Sequence, residues 1–181
     1  MKHFLLSMIS ITAIFQLQAD ERVMGSASYT NKIFTSALTV MGPLNGTQLT
    51  APNIKTYGPA NLTNSHIGTG TIQGPLDSSG TEFTGKMSVY GSIHADKSTF
   101  KKSLMVYGQD IEVTLEDTNT ADITIKSDDP KNISSEKSSS KDALKKQLPI
   151  VHIKGTSQVI GDIIFSGKEG TVMVEDTALH R

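Results

Sequence analysis

The chain has 181 residues, 36% of them hydrophobic, with 17 basic and 18 acidic side chains and a formal net charge of −1. That length suits one domain of ordinary size, and the near-neutral balance argues against a nucleic-acid partner, because phosphate binding needs clustered Lys and Arg. There is no cysteine, so no disulfide framework contributes and stability must come from repetitive packing.

The chain opens with Met1-Lys2-His3, an apolar stretch from Phe4 to Phe15, and then Gln16-Leu17-Gln18-Ala19-Asp20. A basic end, a short apolar run and a small residue before a polar one predict a secretory signal peptide over residues 1–19, cut near Ala19. The run is shorter than the roughly 20 residues that cross a bilayer, and no later run reaches that length. The cleaved product is therefore expected to have no transmembrane segment and to be secreted or held in the periplasm or envelope. Residues 20–37 carry scattered apolar side chains and are expected to form an N-terminal cap or a flexible segment.

From residue 38 a repeat begins. Gly42, Gly58, Gly74, Gly91 and Gly108 follow one another at spacings of 16, 16, 17 and 17 residues. So short a period leaves room for one coil of extended chain and nothing helical, which predicts an all-β fold, a single-stranded parallel β-helix (β-solenoid) with 16–17-residue coils over 38–126. At about 3.3 Å per residue each coil has a perimeter of roughly 55 Å, enough for three short sides.

The columns of this repeat alternate as a half-buried strand does. Four residues before the glycines stand Leu38, Ile54, Gly70, Met87 and Leu104; two before stand Val40, Thr56, Ile72, Val89 and Val106; two after stand Leu44, Ala60, Leu76, Ile93 and Asp110. Further on, Leu49, Ile67, Phe83 and Phe100 are each preceded two positions earlier by a hydroxyl, Thr47, Ser65, Thr81 and Ser98. Gly followed by Pro43, Pro59 and Pro75 marks a corner, because proline has no donor for a ladder and glycine accepts a bend.

After Gly108 the register loosens. Residues 127–148, rich in Ser, Lys, Asp and Glu, are predicted to be a flexible loop, since they bury too little to offset the entropy of being ordered. Strand signals resume at Ile150–Ile153, Val159–Phe165 and Thr171–Val174, so 149–181 is expected to form C-terminal β coils and a cap, with the charged end blunting the last edge.

Outward-facing columns are where partners would be met. One position before the glycines stand Met41, Tyr57, Gln73, Tyr90 and Tyr107. Tyr57, Gln73, Tyr90 and Tyr107 are the candidate binding column, since an aromatic line can stack on a sugar ring, a peptide or a copy of itself, or stack internally for stability. Three positions after the glycines come Asn45, Asn61, Asp77 and His94, a polar column that could meet a polysaccharide hydroxyl or hydrogen-bond along its own stack. Asp77 and His94 are too few ligands for zinc or calcium, and no metal or cofactor is expected.

No nucleophile elbow, zinc-protease helix or phosphate loop occurs. The acids Glu112, Glu116, Asp117, Asp122, Asp128 and Asp129 gather near the loop, where solvation is their expected role. The function expected is non-catalytic, with a carbohydrate-active β-helix enzyme as the alternative, which would need paired carboxylates or a basic residue beside a calcium site.

The alternation in Leu38-Thr39-Val40-Met41-Gly42-Pro43-Leu44, Met87-Ser88-Val89-Tyr90-Gly91-Ser92-Ile93 and Ser157-Gln158-Val159-Ile160-Gly161-Asp162-Ile163 resembles the bactofilins, polymer-forming bacterial proteins. The likeness covers residues 38–111 and 150–174 and implies a right-handed β-helix and a bactofilin-like self-assembling scaffold. The chain departs from that family by its signal peptide, its Gly-Pro corners and its loop. The expectation is thus a secreted or envelope-associated bacterial β-solenoid that acts as a structural or binding protein through its repetitive outer faces, its partners being other copies of itself or an extracellular protein or glycan.

Overall fold

The computed structural model describes residues 20–127 and 148–175; the expected signal peptide, most of the expected loop and the charged C-terminus lie outside them. The described chain is an all-β parallel solenoid of about eight coils. Its first face stacks β1 (Glu21–Val23), β3 (Leu38–Val40), β5 (Thr50–Thr56), β7 (His66–Ile72), β10 (Met87–Tyr90), β13 (Leu104–Tyr107), β16 (Ile123–Lys126) and β19 (Ile163–Ser166). The second stacks β2 (Ala27–Thr30), β4 (Leu44–Thr47), β6 (Ala60–Thr63), β8 (Leu76–Ser79), β11 (Ile93–Asp96), β14 (Glu112–Glu116), β17 (Ile150–Lys154) and β20 (Thr171–Glu175). The third is built from β9 (Glu82–Phe83), β12 (Thr99–Phe100), β15 (Asn119–Thr120) and β18 (Gln158–Val159), and it joins the first through β5 and β7, which run across the corner between them.

Residues 20–37, expected to be a cap or flexible segment, wind as the first coil: β1 lies in register on β3 and β2 on β4. The column Val40, Thr56, Ile72, Val89, Val106 is continuous in register and fully buried. Gly70 interrupts the neighbouring column, and the Met87 side chain fills its space, standing where a Cβ would be. A flexible thioether suits such a gap.

The glycine corner has a steric cause. A Cβ on Gly42, Gly58 or Gly74 would lie 2.8 Å from the backbone of the preceding coil's glycine, Gly25, Gly42 and Gly58 respectively. Successive coils meet there backbone to backbone, so no side chain fits. Gly108 does not share this contact, and the coil lengthens at that point: Ile93 pairs with Val113, so Asp110, aligned with Ile93 by its distance from the glycine, sits in an enlarged corner and Val113 takes the buried place. Beyond the residues that separate it from β16, β17 still lies in register on β14.

A second corner, between the second and third faces, was not visible in the periodicity. Asn31, Gln48, Asn64, Gly80, Lys97, Asp117 and Gly155 all have φ between 46° and 61°, one per coil. Glycine and asparagine suit this left-handed turn, whereas Gln48 and Lys97 occupy it against their intrinsic preference.

Just past that turn runs a buried hydroxyl ladder. The N–H groups of Leu49, Ser65, Thr81, Ser98 and Thr118 donate to the hydroxyls of Ser65, Thr81, Ser98, Thr118 and Ser157, at 3.0–3.3 Å. The hydroxyls of Ser65, Thr81, Ser98 and Thr118 donate in turn to the carbonyls two residues earlier, so donors facing the interior are satisfied without water. Thr47, expected in this row, is exposed on the second face, paired with Thr63. Leu49 starts the ladder instead, and Ala51 is the residue that pairs with Ile67.

The third face points Ala51, Ile67, Phe83, Phe100 and Thr120 into the core, and the rings of Phe83 and Phe100 stack at 4.5 Å with 7° between planes. The buried Thr120 hydroxyl has no hydrogen-bond partner. An unpaired buried hydroxyl costs about 1–3 kcal/mol, so the near-isosteric Thr120→Val variant should be more stable by about 1 kcal/mol in chemical denaturation; an unchanged or lowered midpoint would count against the hydroxyl's isolation.

The coil after the insertion is clipped onto its neighbour by two carboxylates, so Asp117 and Asp122 do more than sit in solvent. Asp117 Oδ1 accepts from the backbone N–H of Thr156 at 2.9 Å and from its hydroxyl at 3.0 Å. Asp122 Oδ1 accepts from the Asp162 N–H at 3.3 Å. The backbone bond from Thr156, then its hydroxyl bond, hold the Asp117 carboxyl below the usual carboxylate range. A pKa lowered in the folded state stabilises above the ordinary carboxylate value, and that contribution is lost as pH falls through the folded value. The stability advantage of the native chain over Asp117→Asn should thus be full at neutral pH and shrink below about pH 4, which denaturant titrations at several pH values would read.

Candidate functional site

The tyrosine column forms, though not as an open aromatic platform. Tyr90 and Tyr107 are register partners on β10 and β13, their rings stacked at 4.6 Å and 11°. Each ring therefore covers one face of the other. The remaining face of Tyr107 is approached by Lys126 Nζ at 5.5 Å from the centroid, a cation–π contact. Tyr57, 39% exposed, lies with Lys55 Nζ 4.9 Å above its ring. Gln73, exposed, occupies the rung between Tyr57 and Tyr90 and keeps them apart. The structure brings Tyr90 and Tyr107 together and leaves Tyr57 and Gln73 as separate members of the same line. What this line offers a partner is ring edges and hydroxyl groups more than ring faces.

The polar column is better placed. Asn45, Asn61, Asp77 and His94 are register partners along the outward side of β4, β6, β8 and β11, and the column continues to Thr114 and His152. The Asn61 amide donates to Asn45 Oδ1 at 2.8 Å, so part of the column hydrogen-bonds along its own stack. From Asn61 to Thr114 these side chains border a groove of about 390 Å³. Beside this column, two residues earlier in each coil, stand the exposed rings of Pro59 and Pro75 and then Ser92, at the glycine corner. Glu112 stands at the end where the corner lengthens.

Three tight corners along the groove are followed by one that carries three further residues, after which Glu112 begins the next strand. The same insertion hides Glu112 and Thr114 from a count along the repeat, because counting from Gly108 places Asp110 and Ile111 where Val113 and Thr114 stand. The signal that could have found them is the alternation Ile111, Val113, Leu115, whose outward partners are Glu112, Thr114 and Glu116.

On the third face Glu82 is flanked by Lys101, in ion-pair contact, and by His66 Nδ1 at 3.2 Å. Lys101, with His66 adding to it, holds the Glu82 carboxyl below its usual range. All three groups lie on a ladder surface outside the groove and are largely solvated, where such pairs contribute little. Among the described residues no group of three His, Asp or Glu side chains is placed to hold a metal ion, and no helix is long and apolar enough to cross a membrane. Compared with family models, with curated proteins and with solved structures, the chain matches none.

Proposed function

We propose that this protein is an exported, non-catalytic solenoid of the bacterial envelope or exterior, which works by presenting its regular outer faces to partners. The observation that carries this reading is the register itself: outward side chains stand in unbroken columns over eight coils, which is a surface suited to extended or repetitive ligands. Export rests on the signal-like first 19 residues. Fractionating the source bacterium and weighing the product tests it. A protein in the envelope or medium whose N-terminus is near Asp20 supports the reading; a cytosolic protein retaining its N-terminal segment overturns it.

A second reading, bactofilin-like self-assembly, is favoured by the unequal ends of the rod. At the N-terminal end Tyr29 and Phe34 meet edge to face at 5.0 Å, and Phe34 is buried. The strands at both ends, β1 and β2 at one and β18, β19 and β20 at the other, are each paired on one edge only among the described residues, but the second end leaves its apolar side chains uncovered. The core-facing Val174 is 69% exposed there, and Ile160 is 80% exposed. Unpaired edges with apolar rows invite pairing with another chain. Sedimentation should show a dimer or larger species that Val174→Lys dissociates; a wild-type monomer at high concentration would remove this second reading.

A further inference from the structure

We propose that the groove on the second face binds a neutral oligosaccharide; this names a ligand class for the surface-presenting reading above and rests on it. Binding sites combine an apolar surface with a few fixed polar groups, and here the two stand in neighbouring columns. Pro59 and Pro75 present saturated rings, on which the C–H face of a pyranose can rest. Two residues further along the coil Asn61, Asp77 and His94 rise from consecutive coils.

These groups match sugar hydroxyls, each of which donates and accepts. The Asp77 and Glu112 carboxylates accept, while the Ser92 and Thr114 hydroxyls and the His94 ring can do either. With rungs about 4.8 Å apart, the four coils from Asn61 to Thr114 span about 14 Å, long enough for a short oligosaccharide laid along the rod axis. The polar groups stand on laddered strands, and Asn61 is further held by Asn45, so little is lost in ordering them.

Charge decides which ligand fits. No Lys or Arg lines the groove, so two carboxylates would repel a uronate or a sulfated glycan. A basic peptide would use Asp77 and Glu112 alone and leave the donors Ser92, Thr114 and His94 unmatched. A neutral polyol uses both kinds of group.

The test is calorimetric titration of the purified protein with cellohexaose, maltohexaose and mannohexaose, with hexagalacturonate and hexalysine as charged controls. At least one neutral hexasaccharide should bind, His94→Ala should weaken it about tenfold, as loss of one hydrogen bond does, and Asp77→Lys should abolish it. Thr39→Ala, on the first face, should leave it unchanged. Unaltered circular dichroism shows that each variant folds. The proposal is overturned if no neutral hexasaccharide binds, if only a charged control binds, or if folded His94→Ala and Asp77→Lys bind as the native chain does. A protein found in the envelope that binds none of these sugars would end this inference and leave the proposed export and surface role standing.

Discussion

Gly74→Val should destabilise the solenoid by about 3 kcal/mol or more, the upper range for forcing volume into a closed contact. The Cβ of any residue there would stand 2.8 Å from the Gly58 carbonyl carbon and from the Pro59 nitrogen. Those are backbone atoms, fixed by ladders on both sides, and they cannot swing away as a side-chain tip would. Above, a Cβ on Gly91 would in turn meet Gly74 at 2.9 Å, so the whole column is pinned. Valine adds two methyl groups to that conflict. Urea unfolding should show the midpoint fall without loss of the native fold in dilute buffer at low temperature. The exposed neighbour Gln73→Ala should change stability by no more than about 0.5 kcal/mol. Equal stability of Gly74→Val and the native chain would mean that the corners are not stacked glycine upon glycine.

Phe100→Ala should cost about 3–5 kcal/mol. Phe100 is 1% exposed and its ring lies flat on that of Phe83, with Thr120 in register on the other side. Removing it leaves a ring-sized hole between coils that the ladders hold apart, so relaxation is limited and the cavity term is large. Part of the loss belongs to the pair. A cycle with Phe83→Ala should give a coupling of about 1 kcal/mol beyond the single effects. Additive losses would show that the two rings act as independent apolar volume.

The stacking of the first face was legible because its physics is local and repeated. Val40, Ile72, Val89 and Val106 alternate with side chains that point outward, and the glycine two places later returns at almost constant spacing; alternation signals a strand, and a constant period signals stacking. The second corner was not legible. Its left-handed residue is Asn31 in one coil, Gln48 in another and Lys97 in a third, so no single residue type marks it. The backbone is held there by the ladder bonds of adjoining coils, which override the preference of any one side chain.

The candidate sites divide in the same way. The membership of the tyrosine line and of the Asn45, Asn61, Asp77, His94 column follows from counting back and forward from the glycines. Counting cannot say that Tyr90 and Tyr107 cover each other's faces, since that depends on rotamers chosen by packing. Nor can it find Glu112 and Thr114 in the groove, since three additional residues at one corner shift every later position. Asp117 is a further case: its acid looks merely solvated until the Thr156 N–H and hydroxyl arrive from a coil 39 residues away.

That this chain winds, how many residues make a coil and which side chains share a column are all legible in one dimension. Those properties depend on alternation and period, which are written in the order of residues. Which columns are sealed and which are open, where a groove forms, and how the two ends of the rod differ emerge once the coils are stacked. Those depend on what neighbouring coils place opposite each side chain, and a corner lengthened by three residues changes that for every coil above it.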